Sequence, residues 1–202
     1  MDVGGTGIKL GAVHLGETPR VLAETVVTGH AARNPNAVVA DLALAATALV
    51  RDAGWDAAEA IGAGSAGLIS RDGTVQFSPN LPAWTGFPLE AALAQATGLP
   101  VRLHNDDNAF AVAEWLWGAA QGTRDAVFLT LGTGIGGAAV AGGKLVRGHR
   151  GFAGEPGHAT VVLDGTPCPC GNRGCAERYV GNRDLVSAAL AHPVLGKDAR
   201  LS

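Results

Sequence analysis

The sequence predicts an α/β fold from three observations. Apolar runs of strand length alternate with segments of helical periodicity. Two glycine-threonine turns each lie between apolar strands, and glycine is in excess without a collagen-like repeat. Glycine supplies 30 of 202 residues, about twice its usual share, and that excess points to turns whose backbone approaches a ligand.

The elements follow in order. Ile8 to His14 and Val21 to Val27 read as a hairpin around a turn at Gly16 to Pro19. Asn36 to Ala53 reads as a helix, because Val38, Leu42, Ala45 and Leu49 recur at three and four positions, Asn34 or Asn36 supplies a cap and Gly54 follows. Ala60 to Ala66 is a buried strand, Pro88 to Ala96 a short helix stopped by Gly98, and Val101 to His104 a short buried strand. Asp106 to Ala120 is an amphipathic helix with Phe110, Ala113 and Trp117 on one face. A second block begins near Gly122 with strands at Ala126 to Leu131 and Ile135 to Ala141, and Gly142-Gly143 turns the chain into Lys144 to Val146. Arg147 to Glu177 is irregular, and a helix runs from about Arg183 to Ala191. The shared pattern of strand, glycine-threonine turn and strand suggests a duplicated unit.

Composition narrows the function. Hydrophobic residues at 47% against charged residues at 16% exclude a disordered chain, and a net charge of −3 gives no electrostatic footprint for nucleic acid or an anionic membrane. No apolar run approaches the roughly 18 residues of a membrane span and the first residues lack a signal-peptide pattern, so the expected compartment is the cytoplasm.

Four constellations carry chemistry. Asp2-Val3-Gly4-Gly5-Thr6-Gly7 and Leu131-Gly132-Thr133-Gly134-Ile135-Gly136-Gly137 are tight turns that aim backbone N–H groups at an anion, with the Thr6 and Thr133 hydroxyls as further donors. A single such turn is also common in ordinary hairpins. Asp2 either holds Mg²⁺ through water or caps a turn. His104-Asn105-Asp106-Asp107-Asn108 sets polar groups at a strand-to-helix junction, where ligands of open α/β sheets bind. Helix capping needs only one of them, and Asp106 at the strand exit is the expected base. His158, Cys168, Cys170 and Cys175 offer one imidazole and all the thiols of the chain within one glycine-rich loop. That donor set suits a closed, structural tetrahedral zinc site, and free or redox-active thiols are the alternative. Glu155 and Glu177 bracket the loop as acceptors for a polyhydroxylated ligand, and Asn80 in Pro79-Asn80-Leu81-Pro82-Ala83-Trp84 offers another contact.

These stretches, with Gly154-Glu155-Pro156-Gly157-His158 and Cys168-Pro169-Cys170-Gly171-Asn172-Arg173-Gly174-Cys175-Ala176-Glu177, resemble the ROK family of sugar kinases and related repressors. They lie in the family's order over nearly the whole chain, and the cysteine stretch is highly specific. The resemblance implies an actin/hexokinase-like (ribonuclease H-like) two-lobe α/β fold. An N-terminal lobe over 1–121 would carry the first phosphate turn, the sugar loop and the catalytic Asp, and 122–202 would form an incomplete second lobe with the second turn and the zinc loop. It implies a transferase, a hexose kinase of carbohydrate metabolism, most simply a glucokinase acting on the 6-hydroxyl with ATP and Mg²⁺.

By the same resemblance Asp106 is the general base. Asn80, Asn105, Asp106, Glu155, His158 and Glu177 hold the sugar, and zinc sits on His158, Cys168, Cys170 and Cys175. ATP with Mg²⁺ falls to Asp2, Gly4, Gly5, Thr6 and Lys9 at the first turn and to Gly132, Thr133, Gly134 and Gly136 at the second. Kinases of fructose, allose, mannose or N-acyl hexosamines, and an inactive fragment that keeps zinc and sugar, are the alternatives. A repressor is disfavoured because a helix-turn-helix segment is expected ahead of the first turn. The expected partners are the hexose and, if the full-length fold is made, a second copy in a homodimer. Pro156 departs from the family's usual apolar residue. Family members also begin a few residues earlier and continue for roughly another hundred, which complete the second lobe and bind adenosine.

Overall fold

The computed structural model describes residues 1–4, 7–28, 33–78, 81–132 and 134–192. The chain divides into two compact units, Met1–Gly122 with Arg147–Phe152, and Thr123–Val146 with Ala153–Ser202.

The first unit opens with β1 (Asp2–Val3), β2 (Gly7–His14) and β3 (Arg20–Thr28), where the apolar alternation of β2 buries Ile8, Leu10 and Ala12. Helix α1 (Pro35–Asp52) starts where Asn34 accepts a bond from the Asn36 N–H at 2.9 Å, and it buries Val38, Val39, Leu42 and Leu49. After it come β4 (Ile61–Ser65), the small hairpin of β5 (Leu68–Ile69) and β6 (Val75–Phe77), a 3₁₀ turn at Pro82–Trp84 and α2 (Leu89–Thr97). β7 (Val101–Asn105) runs directly into α3 (Asp106–Trp117). The main sheet has the order β3-β2-β1-β4-β7, in which β1, β4 and β7 are parallel and β2 and β3 antiparallel. Val3, Ile8, Leu42, Trp84, Leu93 and Leu103 lie in one core cluster, with Phe87 edge-on to Trp84 at 6.0 Å between ring centres.

The face of α3 that carries Phe110, Ala113 and Trp117 is exposed, and the helix buries Asn108 and Ala111. Close packing explains this. A Cβ at Gly64 of β4 would stand 3.3 Å from the Asp106 Cα and 3.5 Å from the Ala109 Cβ, so small side chains face the sheet. The helix also stops at Trp117 rather than Ala120, where Glu114 turns its carboxylate onto the Ala119 N–H at 2.9 Å.

The second unit is an antiparallel meander of β8 (Ala126–Leu131), β9 (Ile135–Ala141) and β10 (Lys144–Leu145) in the order β10-β9-β8. A 3₁₀ turn at Pro156–His158 opens a long irregular loop, which ends in α4 (Glu177–Val180) and α5 (Asn182–Ala191). In that loop Gly174 has φ 70°, and a Cβ there would strike the Val162 carbonyl. Both glycine-threonine turns join antiparallel strands, β1 to β2 and β8 to β9.

Candidate functional site

In the first unit the register sets Asp2 beside Gly64, Gly64 beside His104 and Ser65 beside Asn105, so the carboxyl ends of β1, β4 and β7 lie in one row. That is where α3 begins. Asn105 caps it, its Oδ1 accepting from the Asn108 N–H at 3.1 Å, while its amide Nδ2 donates to Asp106 Oδ1 at 3.0 Å and to the Gly67 carbonyl at 3.2 Å. Asp106 Oδ1 also accepts from the Asp107 N–H at 3.2 Å. One oxygen of the half-buried carboxylate is thus fixed by two donors.

Burial, reinforced by the charge of Asp107 and then of Asp2, holds the Asp106 carboxyl above the ordinary carboxylate range. A carboxylate that binds its proton more tightly than usual is a stronger base. Asp2 is exposed and pairs across the first turn with Lys9, also exposed. Gly4 lies on that turn, while Gly5, Thr6 and the sugar-loop residue Asn80 fall outside the described residues.

Sequence reasoning missed how this half is held. The Gly67 carbonyl anchors Asn105, and Ser65 and Asn108, both almost fully buried, underlie the strand-to-helix junction. Only the buried polar type of Ser65 in an apolar strand signals it.

In the second unit the structure brings together Glu155, His158, Glu177, the cysteines and the second turn. The His158 Nδ1 stands 3.6 Å from the Cys168 Sγ, the Cys170 and Cys175 Sγ atoms are 3.7 Å apart, and the four donor atoms all lie within 4.8 Å of one another. A tetrahedron with Zn–S of ~2.3 Å and Zn–N of ~2.0–2.1 Å has S···S edges of ~3.8 Å and S···N edges of ~3.6 Å, so these residues fit zinc. Burial pushes the Cys168 thiol up to about 12 and the Cys175 thiol up as well, and a divalent cation is what would ionise such thiols at neutral pH.

Glu177, at the start of α4, lies 3.3 Å from His158 Nδ1 and 3.3 Å from Cys168 Sγ through Oε1. Glu155 Oε2 is 4.0 Å from His158 Nε2, so the imidazole faces one carboxylate through each of its nitrogens, and Glu177 also touches a thiol. The second turn closes with Gly132 N–H donating to the Gly134 carbonyl at 3.0 Å, and the Gly132 carbonyl accepts from Asn182 N–H of α5 at 3.0 Å. A Cβ at Gly134 would come within 2.7 Å of Glu177 Oε2, so that glycine leaves room for the carboxylate. Gly136 lies on β9, and Thr133 falls outside the described residues. Among the described residues no helix is long and apolar enough to cross a membrane.

Comparison with known proteins places these features. A family profile described as ROK family matches residues 1–198. A glucokinase of Streptomyces coelicolor is 38% identical over 190 residues, which is 94% of this chain and 57% of that protein. Among solved structures, a ROK family glucokinase from Streptomyces griseus in complex with glucose and AMPPNP matches with a TM-score of 0.77 and 40% identity, over 93% of this chain and 58% of that one. A ROK family transcriptional regulator, a homologue of the E. coli MLC protein, matches with a TM-score of 0.83 and 29% identity, over 98% of this chain and 52% of that one. The expected α/β fold of the ROK hexokinases therefore holds, and the chain spans little more than half the length of these relatives.

Proposed function

We propose that this chain, which belongs to the ROK family, carries the base and the sugar-binding residues of an ATP-dependent hexose kinase, with glucose phosphorylated at its 6-hydroxyl. The observation that carries this reading is Asp106: a half-buried carboxylate of raised proton affinity, fixed on one oxygen at the carboxyl end of a parallel strand. The likeness to glucokinases, one of them solved with glucose and AMPPNP, supports it.

In the proposed reaction the sugar O6–H donates to the carboxylate of Asp106. As O6 forms its bond to the γ-phosphorus, the proton passes to the carboxylate, the bond from that phosphorus to the β,γ-bridging oxygen breaks, and ADP leaves. Phosphoryl transfer needs little else from a protein than positioning and charge neutralisation. Asn105 positions the base and, with Asn80, Glu155, His158 and Glu177, takes the sugar hydroxyls. Gly4, Gly5 and Thr6, and Gly132, Thr133, Gly134 and Gly136, supply the phosphate turns, while Asp2 and Lys9 serve the Mg²⁺ and the phosphates of ATP. Zinc, when bound by His158, Cys168, Cys170 and Cys175, would supply a rigid cross-link that aims His158 and Glu177, with all four positions taken by protein.

Purified, zinc-loaded chain given Mg-ATP and a panel of glucose, mannose, fructose and N-acetylmannosamine tests the reading by ADP release. Glucose-dependent release is expected. ADP release indifferent to every sugar contradicts a kinase. The similarity to a transcriptional regulator favours one second reading, sugar sensing without transfer, and glucose binding with no ADP release would select it.

A further inference from the structure

The loop that carries the cysteines is framed by its own backbone bonds. Pro167 pairs with Arg173 and Thr160 with Cys175 as antiparallel bridges. The Cys168 N–H donates to the Asn172 carbonyl at 2.9 Å, and the Cys168 carbonyl accepts from the Gly171 N–H at 3.0 Å, which closes a turn with Pro169 and Cys170 as its central residues. The three thiols therefore sit differently. Cys168 and Cys175 are buried, whereas Cys170 is exposed. The Cys168 Sγ faces the His158 Nδ1 at 3.6 Å and the Glu177 Oε1 at 3.3 Å, while the Cys170 Sγ faces the Cys175 Sγ at 3.7 Å.

An exposed sulfur beside a buried one is the arrangement in which an oxidised thiol is resolved by its neighbour. A disulfide bond is about 2.0 Å long, so the two sulfurs have to approach, and Cys170 lies on the solvent side where its side chain can rotate toward Cys175. A link between Cys168 and Cys170 would have to close across Pro169 alone, whose ring fixes φ. A link between Cys168 and Cys175 would join two buried sulfurs, neither of which an oxidant meets first.

We propose that Cys170 and Cys175 form an oxidative modification site, at which a peroxide joins them in a disulfide and zinc is released from the loop. The release rests on the zinc reading above, and the pairing does not. In the zinc-loaded loop both sulfurs are thiolates. The Cys170 sulfur attacks one peroxide oxygen, the O–O bond breaks, hydroxide leaves and Cys170 becomes a sulfenic acid. The Cys175 sulfur then attacks the Cys170 sulfur, the S–O bond breaks and a second hydroxide leaves. Each sulfur has given up one electron, and the peroxide has taken up both. His158 and Cys168 are then the remaining donors, two of the four that a structural site uses.

The full chain, loaded with zinc and given hydrogen peroxide, tests this by two readouts. One is zinc captured by a coloured chelator too weak to take it from the unoxidised chain. The other is a tryptic map after alkylation of the remaining thiols. Trypsin cuts after Arg150, Arg173 and Arg178, so the link joins peptide 151–173 to peptide 174–178, and fragmentation ahead of Pro169 tells an alkylated Cys168 from an alkylated Cys170. The expected result is a link from Cys170 to Cys175 with Cys168 alkylated, and loss of the bound zinc in step with the link. A reductant followed by zinc is expected to restore both thiols and metal. A link through Cys168, a link between two chains, or a sulfinic acid on Cys170 with Cys175 left as a thiol overturns the proposal, as does zinc retained by linked chains. A chain that takes up no zinc before peroxide contradicts the zinc reading instead, and the map of the link still decides the pairing.

Discussion

The two units bury their apolar residues on different principles. In the first, Leu42, Trp84 and Leu93 are fully buried between a five-stranded sheet and its helices. In the second, Phe128 is buried on one face of β8 while Val127, Leu129 and Leu131 on the other are 74%, 56% and 76% exposed. On α5 Leu185 and Leu190 are also exposed. Much of what the second unit buries in its loop is sulfur, with Cys175 at 0% and Cys168 at 7% exposure. The first unit holds the Asp106 carboxylate by regular structure, through a strand end, a helix cap and two hydrogen bonds. The second sets its carboxylates beside a cluster of His158 and three cysteines in an irregular loop.

Metal removal would widen that contrast most. Structural zinc contributes about 10–16 kcal/mol of apparent binding energy in small metal-folded domains. A strong chelator, or Cys170→Ser, is therefore expected to abolish amide protection across residues 158–177. All four tryptophans lie in the first unit, so the tryptophan-detected melting of that unit should not move. Protection that survives complete metal removal would show that the loop holds itself.

Core substitutions come next. Trp84→Ala is expected to destabilise the first unit by about 3–5 kcal/mol through the cavity it leaves, whereas Leu129→Ser, on the open face of β8, should stay within about 0.5 kcal/mol. Denaturant melts of both variants check this, and a large loss for Leu129→Ser would mean that the face is covered in solution. Asn105→Ala removes a helix cap and is expected to lower the stability of the first unit by about 1 kcal/mol. The smallest effect is expected for Asp106→Asn and depends on pH. A carboxyl whose folded pKa is raised adds stability at pH values below its unfolded pKa and loses that contribution as pH rises through the folded value. Asp106→Asn should therefore melt above the parent near pH 7–8, and the gap should shrink as pH falls into the acid range. A constant gap across that range would show that burial of the charge is not the cause.

Most of the fold was legible wherever one period dominates a segment. The alternation of β2, the recurrence of Val38, Leu42 and Leu49 in α1, and the Gly142-Gly143 turn each reflect a local rule. β1, β5 and β6 were not legible, because two or three residues carry no period. Aromatic spacing marks a stripe on α3 but not whether it is buried, and the close approach of the helix to Gly64, which sets small residues against the sheet, has no local trace.

The candidate site divides in the same way. The cluster that could hold a metal was legible because His158 and all the cysteines fall in one loop, and Asp106 because a polar cluster ends an apolar strand. The anchoring of Asn105 by the Gly67 carbonyl spans 38 positions and leaves no local trace.

The central claim is that Asp106 takes the proton of the sugar hydroxyl. The most direct test compares glucose-dependent ADP release by the parent and by Asp106→Asn, each checked for equal zinc content and for a single cooperative tryptophan-detected melt well above the assay temperature. A positioned general base contributes about 10²–10⁴-fold to rate, so kcat is expected to fall by that factor in Asp106→Asn. Release at the parent rate by a zinc-loaded, folded Asp106→Asn chain would contradict the claim.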